Sequence, residues 1–410
     1  MPAPDYEKFF SSRVNFMSPS PIREAVFKIA YKSKIKPVIS FAAGEPDPDV
    51  LPRDIYAKLA SEIFLNEKKI VNYSPAEGVP DLRDEIAKFM KEYESVETGG
   101  ENIIVTVGGS QALDIVARII LEPGDIVLTE NPSYVNTLLC WRHYGVRIVG
   151  TPMDDEGLRT DLLEENIKKL VNEGRIIKLI YTIPTGQNPS GITMSMDRRK
   201  HLLEIASKYD LLVVEDTAYN HLVYEKTEIK PLRSMDKERR IIYVGSFSKV
   251  LGTGLRIGWL EAPEQVIQKI RYSKQPMDMC APVPSQYLVL EVLRRGLFDK
   301  IKAKAIEAYK VKRDLMLDAL DKYLPGLKHT RPVAGMFILL WLPEKLDSFK
   351  FADILLDKYD VAVIPAAPFF VDGSGRNVIR LNFSMAKLEL IEEGVRRMAS
   401  LVEELSSKQQ

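Results

Sequence analysis

Residues 102–129, NIIVTVGGSQALDIVARIILEPGDIVLT, hold the pattern from which the fold is read. Asn102–Val107 is a short β-branched run of the kind that makes a buried strand. Gly108 and Gly109 turn the chain, Gln111–Leu121 has apolar residues at helical spacing, and Asp125–Thr129 is a second strand. The alternation recurs downstream. Ile177–Ile183, Leu211–Glu215 and Arg240–Val244 are strand-like, with helix-like stretches between them. β-branched runs separated by helical patterns predict parallel βα units. The expected fold class is α/β, with helices on both faces of a mostly parallel sheet.

After about Pro284 the order of elements changes. Gln286–Tyr323 is long and mostly helical, and Gly335–Leu342, Val361–Ile364 and Val378–Phe383 are strand-like. A helix over Leu388–Leu405 closes the chain. This mixture predicts a second, smaller α+β domain. The expected division is 42–290 for the large domain, with 1–41 and 291–410 forming the small one. No internal repeat, low-complexity stretch or long flexible linker interrupts the 410 residues.

Composition argues against several classes of function. Lys plus Arg and Asp plus Glu each number 57. A balanced charge gives no electrostatic reason to expect nucleic acid or an anionic membrane as partner. The two cysteines, Cys140 and Cys280, are far apart, which argues for a reduced chain without a disulfide framework. The four histidines are scattered, so no catalytic zinc site is expected. The N-terminus lacks a basic stretch followed by an apolar one. The most apolar run, Met336–Leu342, is about a third of the ~20 residues a membrane helix needs. The expected location is the cytoplasm.

The chemistry lies after the strands, because ligands of parallel α/β sheets bind beyond the carboxyl ends. Ser246-Phe-Ser-Lys249 follows RIIYV. A lysine amine there can condense with an aldehyde, and Ser246 and Ser248 offer hydroxyls to a phosphate. Alone, this motif more often marks a solvated surface lysine. Gly252–Gly258 resembles a dinucleotide fingerprint but has Ile257 where a glycine is needed. Arg256 instead reaches the same phosphate. Asp216 ends LLVVE, where it is either a helix N-cap or a partner for a cationic ring nitrogen. Tyr219 is three residues further on. Asn188 sits in the tight loop Pro184–Gly191, after IKLIYTI. Ser110 and Gln111 lie at a helix start, where backbone N–H groups and the dipole favour phosphate. Each group follows a separate strand, so all of them converge on one sheet edge.

In this order the groups resemble the class I/II aminotransferases among fold type I enzymes dependent on pyridoxal 5'-phosphate (PLP). The resemblance spans about Ser18–Leu401 and rests on SFSKVLGTGLRIGW, YTIPTGQNPSG and VVEDTAY. It is closest to the branch with kynurenine/2-aminoadipate and archaeal aromatic aminotransferases. It implies a large domain with a seven-stranded type of sheet, and PLP as cofactor. By the same resemblance Lys249 is the Schiff-base lysine and proton shuttle, and Asp216 holds the ring nitrogen. Asn188 and Tyr219 hold the phenolic oxygen, and Tyr134 stacks on the ring. Ser110 and Gln111 (by backbone and side chain), Ser246, Ser248 and Arg256 hold the phosphate. Tyr73 reaches the phosphate of a neighbouring subunit, which implies a homodimer. Arg380, in an otherwise apolar strand, clamps the substrate α-carboxylate, as a guanidinium fork suits a carboxylate. Gly44 meets the same carboxylate through its backbone. Arg23 is expected to meet an acidic side chain. Gly186 stands where many relatives have a bulkier residue, with an expected effect on substrate fit.

The activity implied is ping-pong transfer of an amino group from an aromatic amino acid, 2-aminoadipate or kynurenine to 2-oxoglutarate. The same lysine and cofactor could instead run a β-lyase or another amino-acid lyase. A third reading, an effector-sensing domain of a transcription regulator, is disfavoured by the balanced charge.

Overall fold

The computed structural model describes residues 4–227 and 229–407. Thirteen strands are present among them: β1 (Ile39–Ser40), β2 (Ile103–Thr106), β3 (Ile126–Asn131), β4 (Arg147–Asp154), β5 (Gly157–Leu158), β6 (Ile177–Thr182), β7 (Leu212–Asp216), β8 (Ile241–Ser246), β9 (Gly258–Glu261), β10 (Phe337–Trp341), β11 (Val361–Ala362), β12 (Ile364–Pro365) and β13 (Val378–Asn382).

The central sheet has the order β2-β9-β8-β7-β6-β3-β4-β5. Strands β8, β7, β6, β3 and β4 are mutually parallel. β9 runs antiparallel to both of its neighbours, so β2 points the same way as the parallel set. All five strands expected in this region therefore end at one edge. They are buried on both faces, as β-branched runs without polar alternation should be. β4 and β9 were not anticipated. Arg147–Asp154 is only partly buried and lacks a continuous apolar run, and β9 is four residues long.

Two glycines let β8, β9 and the helix Gly108–Ile120 approach closely. A Cβ on Gly245 would lie 2.1 Å from the Trp259 ring, and one on Gly258 would lie 2.8 Å from the Gly108 carbonyl carbon. Neither position admits a larger side chain without displacing its neighbours. The start of that helix is thereby pressed against the turn after β8.

The second sheet, β10-β13-β12, is antiparallel, and β1 pairs with β11 in parallel beside it. Ile22, Ala25 and Ile29, spaced for one helical face, pack the helix Pro21–Ser33 against a small core containing Leu356, Ile364 and Phe369. The long helical stretch is two helices, Val283–Arg294 and Leu297–Tyr323, parted at Gly296 in the left-handed region (φ 63°). Val361–Ile364 is split between β11 and β12, and the last helix is Ile391–Ser407. Among the described residues no helix is long and apolar enough to cross a membrane.

Candidate active site

β7 delivers Asp216 to the carboxyl edge. It is 6% exposed and has no ion-pair partner among the described residues. The Tyr181 hydroxyl donates to its Oδ2 at 3.0 Å, and the Ala218 N–H to its Oδ1 at 3.2 Å. Burial raises its pKa against these hydrogen bonds. The Lys249 charge also pulls that pKa down, and a buried acid held in place without a contact ion pair suits a protonated ring nitrogen. Tyr181 was missed in the sequence. Its signal was a tyrosine within a buried aliphatic strand, whose hydroxyl must find a partner.

The turn after β8 brings Lys249 to the same space. Its Nζ donates to the Gly44 carbonyl at 2.8 Å and lies 5.9 Å from the centre of the Tyr219 ring. Burial lowers its pKa to about 8, opposed by the Glu45 carboxylate and reinforced by Arg380. An amine at this pKa is neutral far more often at pH 7 than a solvated lysine. The Asn188 amide donates to the Tyr219 hydroxyl at 3.4 Å, so the two residues placed on the phenolic oxygen are neighbours.

β13 carries Arg380. The alternation that groups it with Asn382 and Ser384 holds, but all three are buried. Arg380 Nη1 donates to Asn188 Oδ1 at 3.1 Å and Nη2 to the Ala42 carbonyl at 2.9 Å, while Nε has no partner. The guanidinium stands 4.4 Å from the Phe337 ring centre. Burial lowers its pKa to about 10. Within the described residues no carboxylate pairs with it. Such a cation, with one donor free, calls for an anion from outside the chain. A Cβ on Gly44 would lie 2.8 Å from the Phe337 ring, so the small residue keeps the segment 42–45 close to this clamp.

The phosphate candidates gather at the start of the helix Gly108–Ile120. The Ser248 N–H donates to Ser246 Oγ at 3.2 Å. Arg256, in the left-handed region (φ 55°), donates from Nη2 to the Val107 carbonyl at 3.1 Å. A Cβ on Gly108 would lie 2.7 Å from that same Nη2. Ser110 is exposed on the first turn. The Gln111 side chain has partners within the chain. Its Oε1 accepts from the Val107 N–H at 2.8 Å and its Nε2 donates to Asp278 at 2.6 Å. The side chain is occupied in capping its own helix, which leaves only its backbone N–H for phosphate.

Tyr134 takes a hydrogen bond at its hydroxyl from Asn136 at 2.9 Å. Burial chiefly raises its pKa, while Arg380 and Arg23 pull it down. Arg23 itself is exposed on the helix Pro21–Ser33, within electrostatic reach of the site. Tyr73 does not join the others in this chain. It is 79% exposed and lines a surface cleft of about 880 Å³ with Glu62, Tyr287 and Arg295. Gly186 has a local backbone reason: with φ at 57°, a Cβ there would lie 2.7 Å from Gly335 Cα, at a crossing with the segment before β10.

The sequence pattern of the family "Aminotransferase class I and II" matches residues 36–398. The chain is 39% identical over 409 residues to an aromatic-amino-acid aminotransferase of Thermococcus litoralis, covering 99% of this chain and 97% of that one. It superposes on an archaeal alanine:glyoxylate aminotransferase with a TM-score of 0.96 at 50% identity, covering 98% and 99% of the two chains. The α-aminoadipate aminotransferase of Thermus thermophilus, solved with N-(5'-phosphopyridoxyl)-L-leucine, gives 0.89 at 33% identity, covering 98% and 99%.

Proposed function

The chain belongs to the class I and II aminotransferases, which use PLP, and from that premise we propose that it moves an amino group from an aromatic amino acid or 2-aminoadipate to 2-oxoglutarate in two alternating half-reactions. Kynurenine is a further candidate donor. The observation that carries the reading is Arg380, buried without a carboxylate and with Nε free, in the space that Lys249 enters.

Bound PLP supplies an electrophilic aldehyde and an electron-withdrawing ring. Lys249 Nζ would hold that aldehyde and, once freed, would accept the substrate's α-proton. Asp216, fixed by Tyr181, keeps the ring nitrogen protonated. Asn188 and Tyr219 hold the phenolic oxygen, and Tyr134 covers the ring. Ser246, Ser248, Arg256 and the backbone of Ser110 and Gln111 hold the phosphate. Arg380 and Gly44 orient the α-carboxylate, and Arg23 attracts a second carboxylate.

Tyr73 would serve the phosphate of a second copy, making the working unit a cytoplasmic homodimer. Its exposure supports this role. The assignment of the N-terminal segment to the small domain is supported by the sheets, since β1 pairs with β11 while strands β2–β9 stay together; the boundary at 290/291 falls within the helix Val283–Arg294.

The 50% identity to an alanine:glyoxylate enzyme favours a second reading for substrate, transfer from alanine to glyoxylate. A panel of phenylalanine, kynurenine, 2-aminoadipate and alanine, each with 2-oxoglutarate and with glyoxylate, decides by kcat/KM. Absence of turnover with aromatic and aminoadipate donors would sink the first reading. Release of ammonia in place of a second amino acid would indicate lyase chemistry.

A further inference from the structure

Glu130 is the next-to-last residue of β3, three residues before Ser133, and is used by no step above. It is 1% exposed. Its Oε1 accepts from the Thr182 hydroxyl and from the Ile183 N–H (the latter at 2.9 Å), at the end of the neighbouring strand β6. Its Oε2 has no hydrogen bond of good geometry, although the Gln187 amide is near enough to draw its pKa down. The loop that follows β6 returns the link. The Gln187 amide donates to the Pro132 carbonyl at 2.8 Å, and its Oε1 is held by the Ser190 N–H and hydroxyl. Two loops are thus stitched at two points. One carries Tyr134 and the other Asn188.

The chemical state of Glu130 follows from its surroundings. β6 contributes Tyr181 and β7 contributes Asp216, the titratable groups whose charges couple to it. On the other flank β4 places Thr151 opposite it in register. None of these is a cation. A carboxylate here would keep a full charge with one oxygen unserved, whereas a neutral acid leaves only an uncharged oxygen unserved. Burial accordingly raises its pKa to about 7 against the hydrogen bonds it accepts.

We propose that Glu130 is a positioning residue that works as an uncharged acid, locking the ends of β3 and β6 together and so setting the gap between Tyr134 and Asn188. This rests on the assignment of those two residues to the cofactor.

The test uses the full chain with Glu130→Gln and Glu130→Ala. PLP is titrated into the apoprotein, and the pH midpoint of the bound cofactor's visible band is recorded. Glu130→Gln should bind PLP within about threefold of the parent. Glu130→Ala should bind at least about tenfold more weakly, with a shifted midpoint. In an Asn188→Ala background that shift should vanish, because the effect passes through Asn188. Equal weakening by Gln and Ala overturns the uncharged acid, and a shift that persists without Asn188 overturns the positioning. If Glu130→Ala does not fold, thermal stability of the apoproteins between pH 5 and 8 decides. A folded-state pKa raised from 4.5 to about 7 means stability falls as pH rises through that window. Glu130→Gln should fall less steeply, and an unchanged slope overturns the proposal. This readout needs no cofactor, so failure of the Tyr134 and Asn188 assignments is seen separately, as an Asn188→Ala variant with an unmoved midpoint.

Discussion

At the carboxyl edge of the central sheet Asp216, Asn188 and Arg380 are 2% to 6% exposed, whereas along the N-terminal stretch Tyr6, Phe9, Phe10, Phe27 and Ile35 are 53% to 76% exposed. The two regions are unfinished in opposite ways. At the edge, charged groups are desolvated and held by neighbours, yet lack counter-charges, which a small polar molecule can bring. Along the N-terminal stretch, apolar side chains are in water without a core, which calls for another surface. One chain supplies nearly all of the proposed cofactor site, while Tyr73 and the N-terminal segment look outward.

The contrast breaks most sharply at Lys249. Lys249→Ala should lose the visible band of the attached cofactor and all but about 10⁻³ of turnover. Retained turnover would remove the premise of the buried edge. Next comes Arg380→Ala. Removing the guanidinium should lower kcat/KM for amino acids by about 10²-fold or more while the cofactor band stays in place. A lost band with an unchanged KM would make Arg380 a structural residue. The third effect is on pH. With an amine pKa near 8, capture of PLP by the apoprotein should accelerate roughly fiftyfold from pH 6 to 8, as Nζ loses its proton, and then level off. A rate still climbing at pH 10 would mean a solvated lysine.

The remaining tests address the outward-looking side. Tyr73→Phe should weaken PLP binding about tenfold if a second copy supplies this hydroxyl, a charge-assisted hydrogen bond. An undisturbed affinity, or full activity from a monomer at high dilution, would deny the shared site. The smallest effect is expected from Arg23→Gln. Its exposed charge should favour 2-aminoadipate over phenylalanine by only about threefold, and less at high salt. A uniform change for both donors would assign Arg23 to packing.

The sequence was most legible where a group follows a buried strand. The strands that lead to Asn188, Asp216 and Lys249 are nearly unbroken apolar runs, so their ends, and the edge they share, could be placed from pattern alone. Arg380 was legible for the opposite reason, as a cation inside such a run. Residues whose partners come from distant parts of the chain were not. Gln111 is claimed by Asp278, 167 residues away, and Tyr181 by Asp216 on the adjacent strand. Gly186 takes its meaning from Gly335, and spacing cannot show that crossing. β9, reversed and only four residues long, left no periodicity to detect.

The pairing of β1 with β11 also dictates an order of assembly. The backbone of Phe41 and Ala42 is fastened by the Asn382 N–H and by Arg380. During synthesis, residues 103–261 contain every strand of the central sheet, although β2 must wait for β9 to close it. The segment 39–45 must wait, unpaired, for more than three hundred further residues. A nascent chain stopped before Val361 would thus own its lysine and its buried aspartate, yet have no means of gripping an amino acid. Quality control that senses an untethered N-terminal segment would thereby distinguish finished molecules from those that merely look folded.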